Sequence, residues 1–103
     1  MSEQADQIRS NAAEEESRIA ELNFTLDQQR TPYLKGQLQQ AMSKVTDVET
    51  LLRFAQQSEP RHAGAWMSIA EENIKMAANI REQVQKVVDA YGGPDNVEEF
   101  EGS

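Results

Sequence analysis

The feature that most limits what this chain can fold into is an unbroken 3–4 spacing between Trp66 and Tyr91. Trp66, Ala70, Asn73, Ala77, Ile80, Val84, Val87 and Tyr91 follow one another in steps of 4, 3, 4, 3, 4, 3 and 4. An α-helix turns once per roughly 3.6 residues, so these positions form a stripe that packs lengthwise on another helix. A second stretch answers it. Leu34, Leu38, Ala41, Val45, Val48, Leu52 and Ala55 step by 4, 3, 4, 3, 4 and 3. Folding the chain back between Ala55 and Trp66 brings the stripes together in order. Ala55 then faces Trp66, Leu52 faces Ala70, Val48 faces Asn73 and Val45 faces Ala77. Ala41 faces Ile80, Leu38 faces Val84 and Leu34 faces Val87. Large meets small in several layers, as an interdigitated antiparallel core requires. The fold class expected is all-α, built on an antiparallel helical hairpin.

Punctuation in the sequence sets the element limits. Residues 3–29 hold many Gln, Glu, Ala and Arg and no Gly or Pro, which favours a first helix. Its seam, Ile8, Ala12, Glu15, Ile19, Leu22 and Leu26, is sparse and carries a glutamate, and Phe24 lies off it. The spacing predicts a helix frayed before about Asn11 and docked after it. Thr31-Pro32 breaks the chain, with Thr31 as a cap and Pro32 in the next first turn. The second helix is expected over about 32–57, with Gly36 either permitting a close approach or simply tolerated. Ser58 is the expected cap of the third helix, over about 60–91, and Gly92-Gly93-Pro94 ends it. Residues 1–91 read as one three-helix domain, and 92–103 as an acidic, disordered tail.

One hairpin does not cover all its own apolar residues. Helix 3 also carries Met67, Ile69, Ile74, Met76 and Val88, and helix 2 carries Met42, Leu51 and Phe54. The first helix covers part of that surplus, and the remainder argues for a homo-oligomeric bundle. Asn73 is a lone amide on the seam: such a position commonly fixes register or oligomer state, or else its side chain merely reaches a polar neighbour or water.

Charge narrows the partners. The net charge of −8 sits at the two ends, with seven acids against three arginines in 1–31 and four acids with no base in 92–103. The hairpin is balanced, so no basic face is available for duplex nucleic acid. No apolar run is long enough for a membrane span. Cysteine is absent, which removes disulfides and thiolate metal sites. The opening MSEQADQIRS lacks the basic start and apolar stretch of a secretory signal, so a cytoplasmic protein is expected.

Catalytic chemistry has little to work with. The single histidine, His62, falls at a turn rather than on a bundle helix, and no serine or acid orients it at useful spacing. Glu71-Glu72 and Glu14-Glu15-Glu16 read as solvated faces. No enzyme activity, metal or cofactor is expected. Two basic-aromatic clusters remain as candidate ligand sites. At the hairpin's turn are Arg53, Phe54, Arg61, His62 and Trp66. At the open end the register brings Lys35 beside Lys86, with Arg30, Tyr33 and Tyr91 near. Such groups hold a phosphate and stack a base. Their plainer role is to plug the bundle ends with aromatics.

Residues 60–77, PRHAGAWMSIAEENIKMA, carry a Pro/Arg turn, an Ala-rich start, the pair Glu71-Glu72 and the step Met76-Ala77. This pattern resembles the second helix of the short hairpin in phage anti-defence sponges, which sequester cyclic nucleotide signals of bacterial immunity. That family usually shows Trp where Met76 stands and lacks the continuation to Tyr91, so no ligand residue is carried over. The resemblance implies a small oligomeric hairpin that binds rather than catalyses. The expected function is therefore a non-enzymatic oligomeric binding protein, a phage-type inhibitor or sponge of a host defence signal or protein. The rival is a helical adaptor or secretion-type chaperone that holds a partner helix.

Overall fold

Proline opens two of the three helices, because its fixed φ and missing N–H suit a first turn. The computed structural model describes residues 3–27 and 31–93. Its helices are α1 (Glu3–Leu26), α2 (Pro32–Gln57) and α3 (Pro60–Ala90). The expected tail from Pro94 onward lies outside the described residues, as do Gln28, Gln29 and Arg30. The α2–α3 pair is a tight antiparallel hairpin, with α1 laid along it, in a body of 51 × 20 × 18 Å.

All seven stripe residues of α2 are buried. The stripe of α3 divides. Ala70, Ala77 and Val84 are buried, while Trp66, Asn73, Ile80 and Val87 are only half-buried and Tyr91 is exposed. Met67 and Val88, read from the sequence as surplus, are buried instead. The physical reason is that α3 has two neighbours and therefore two inward stripes. Its Ala70, Ala77 and Val84 face the hairpin core, and the row Met67, Ile74, Arg81, Val88 turns toward α1. Of the two readings of Asn73, the structure shows the amide reaching a polar neighbour. Its Nδ2 donates to the carbonyl of Lys44 at 3.3 Å, one turn from Val48 on α2.

Helix α1 runs parallel to α3 and antiparallel to α2. Glu15 meets Arg81, 66 residues on, through bonds of 2.5 Å from Nε and 3.3 Å from Nη2. At the same separation Ile8 is level with Ile74 and Leu22 with Val88. Against α2, Arg9 lies 3.7 Å from Glu49 and Lys35 lies 2.5 Å from Asp27.

Three expectations are corrected here. The first turns of α1 are not frayed: Ala5 and Ile8 are fully buried, because the long hairpin offers them a surface that an isolated helix lacks. Glu15 is no solvated acid; it is buried against Arg81. The hydroxyl caps serve the preceding helices rather than the following ones. Thr31 Oγ1 donates to the carbonyl of Leu26 at 3.2 Å, and Ser58 Oγ to that of Phe54 at 2.6 Å. Each adds a donor to a carbonyl in the last turn of the helix before it, and the Phe54 carbonyl also accepts from the Ser58 backbone N–H at 2.9 Å. At the far end Gly92 (φ 81°) and Gly93 (φ 123°) take up the left-handed region that terminates α3.

Candidate functional site

The turn end assembles in part. The last turn of α2 and the first turns of α3 bring the Phe54 and Trp66 rings to 5.1 Å between centroids, tilted by 59°. Tilted rings at this separation attract through their quadrupoles, beyond the area they bury. Beside them lies an open groove of about 570 Å³ lined by Ser58, Glu59, Arg61, His62, Trp66 and Ile69. Of the predicted site residues, Arg61, His62 and Trp66 share this groove, and Arg53 is exposed but does not line it. Arg61 Nε sits 2.8 Å from the Glu59 carboxylate. The groove's guanidinium is thus met by an acid two residues away, which weakens its hold on a phosphate.

The open end includes an acid that the two-helix reading left out. Lys35 is drawn to Asp27, so its ammonium faces α1. Lys86 stands exposed on α3, and Tyr33 is exposed at the start of α2. Arg30 lies outside the described residues. Asp27, the residue just past the end of α1, is that acid.

Glu59 stands three residues before His62, but at the start of α3 and engaged with Arg61. Among the described residues no three His, Asp or Glu side chains are grouped to hold a metal ion. Among them too, no helix is long and apolar enough to cross a membrane.

A further candidate surface runs along α3 rather than at either end of the hairpin. Because α1 contacts α3 through Glu71 and Arg81, the opposite side of α3 stays uncovered. There Ile69 is 47% exposed and Met76 is 39% exposed. They alternate with the half-buried Trp66, Asn73, Ile80 and Val87. The row 66, 69, 73, 76, 80, 83, 87 repeats the 3–4 spacing, displaced by one position from the stripe that faces α2. The sequence held this signal: Ile69 and Met76 were surplus apolar residues seven apart. From Trp66 to Val87 the row spans about 30 Å at a rise of 1.5 Å per residue. Leu51 and Phe54 of α2 extend it at the Trp66 end.

Comparison of the chain with family models, with curated proteins and with solved structures gave no match, so the site is characterised by its own chemistry alone.

Proposed function

We propose that the chain is a non-enzymatic helical binding module whose working surface is the side of the hairpin left uncovered by α1. The observation that carries this reading is the Trp66–Val87 row, a 3–4 stripe, apolar except for Asn73 and Gln83, on which Ile69 and Met76 stand exposed beside half-buried Trp66, Ile80 and Val87. Apolar residues at that spacing are what an incoming helix packs against. Covering Ile69 and Met76, each a large apolar side chain, contributes about 1 kcal/mol or more apiece at 25 cal/mol/Å².

The experiment pairs the wild type with Ile69→Asp/Met76→Asp, each used as bait in an extract of the native host. Both positions are exposed, so the variant is expected to keep its fold by circular dichroism while losing whatever the wild type retains through this face. Equal retention by a folded variant sinks the proposal.

A second reading is favoured by the turn-end groove, where Trp66 lies beside Arg61 and His62. It is the sponge-type function, in which a planar anionic ligand such as a cyclic dinucleotide stacks on the indole. A thermal-shift screen with cyclic mono- and dinucleotides tests it. The expected result is a raised melting temperature that Trp66→Ala abolishes; no shift with any of them removes this reading.

A further inference from the structure

The uncovered row of α3 is complementary to itself when read backwards. Take Trp66, Ile69, Asn73, Met76, Ile80, Gln83, Val87 and Ala90 in order and lay a second copy alongside in reverse. Met76 falls level with the partner's Ile80, and Ile69 with the partner's Val87. Trp66 falls level with the partner's Ala90, a large residue against a small one. The two polar members of the row, Asn73 and Gln83, fall level with each other. Every apolar position thus meets an apolar one, and every amide meets an amide. The row flanking it is Glu72, Asn79 and Lys86, all exposed. In this register Glu72 lies two residues, about 3 Å along the axis, from level with the partner's Lys86, within reach of its long side chain; Lys86 stands likewise to the partner's Glu72, and Asn79 lies beside its own copy near the axis. Among the described residues neither Glu72 nor Lys86 has a partner within the chain.

Self-complementarity in reverse is the property that a two-fold interface demands, since the same patch must serve both sides. A foreign helix needs no such pattern in this chain. Building on the reading of this face given above, we infer that its occupant is a second copy of the chain, held by α3 packed antiparallel on α3 with the two-fold axis beside Ala78 and Asn79. Glu72 and Lys86 select this alignment: shifting the copies by one heptad separates both ion pairs and sets Asn73 against an apolar residue. Asn73 already gives one amide hydrogen to Lys44. Its second amide hydrogen and its carbonyl oxygen are what the partner's Gln83 addresses.

The full chain tests this directly, because it contains no cysteine. Asn79→Cys places one thiol beside the axis, and Ser68→Cys places one about 16 Å away along the helix, at 1.5 Å per residue. A short bismaleimide is expected to convert most of Asn79→Cys, and little of Ser68→Cys, into a covalent dimer. Linkage of both overturns the antiparallel alignment, because a parallel pair brings both thiols to their own copies. Linkage of neither overturns the interface. In sedimentation equilibrium Lys86→Glu is expected to raise the dimer dissociation constant at least about tenfold, because two attractions become two repulsions. Glu72→Lys is expected to do the same, and Glu72→Lys/Lys86→Glu to restore the wild-type value. Failure of the double reversal to restore it overturns the register. A chain that stays monomeric at high micromolar concentration overturns the dimer. If Ile69→Asp/Met76→Asp then still abolishes retention of a host protein, the binding face stands and only its occupant was misassigned.

Discussion

Glu15 and Arg81 show how a single pair settles the placement of a helix. Glu15 is 3% exposed and the Arg81 side chain 18%, so both have given up most of their water. Two parallel N–H···O bonds return part of that cost and fix one separation along the helices. Removing only Arg81 leaves a carboxylate buried without its cation. Arg81→Met is expected to cost about 3–5 kcal/mol in urea unfolding. Glu15→Leu/Arg81→Met is expected to recover most of that loss, because two apolar side chains fill the same layer without any charge to desolvate. If Arg81→Met alone proves neutral, the pair does not hold α1. This contact was half legible in the sequence. The row Met67, Ile74, Arg81, Val88 has one charge among three apolar residues at seven-residue spacing, and the seam of α1 has one glutamate. Each reads alone as a weakness, and the match appears only when α1 and α3 are set parallel.

At the scale of the helix, glycine and alanine positions separate tolerance from need. A Cβ built on Gly36 or Gly64 meets nothing within 4 Å. Neither glycine serves a close approach, so each only adds backbone freedom to the unfolded chain. Gly36→Ala and Gly64→Ala are each expected to stabilise by about 0.5–1 kcal/mol, read as a raised denaturation midpoint. Gly93→Ala should do the opposite, since its φ of 123° strains any residue with a Cβ. Ala41 and Ala77 are fully buried where α2 meets α3. Ala41→Leu and Ala77→Leu are each expected to cost about 1–3 kcal/mol by overpacking, and neutral melts for both would contradict the pairing of the two stripes. The hairpin was legible because its two stripes constrain each other over seven layers. The caps were not, because Thr31 and Ser58 each sit in a short link where a hydroxyl can serve the helix on either side. That choice depends on the path of the link, which residue identity leaves open.

At the scale of the molecule, α1 decides which side of the hairpin is core and which is surface. Periodicity identified more apolar residues on α3 than one neighbour covers, but it could not divide them. The structure assigns Met67 and Val88 to α1 and leaves Ile69 and Met76 outside. It follows that α1 is no dispensable arm. Ile8, Ile19, Leu22 and Leu26 are all buried in the common core. At about 1.5–3 kcal/mol per fully buried large aliphatic side chain, these four contribute as much as the whole net stability of a small domain. Their removal also exposes Met67 and Val88, and it strips Arg81 of its acid. A chain beginning at Thr31 is therefore expected to lose cooperative thermal unfolding by circular dichroism at low micromolar concentration, keeping only partial helicity. Adding back a peptide of residues 1–27 should restore both the helicity and the sharp transition, because every contact α1 makes is non-covalent. The matching peptide with Glu15→Lys should fail, since it sets a second cation against Arg81 in a nearly dry layer. A hairpin that melts as sharply alone as with α1 would show instead that the α2–α3 seam suffices, and the division of α3 into an inner and an outer face would then need another cause.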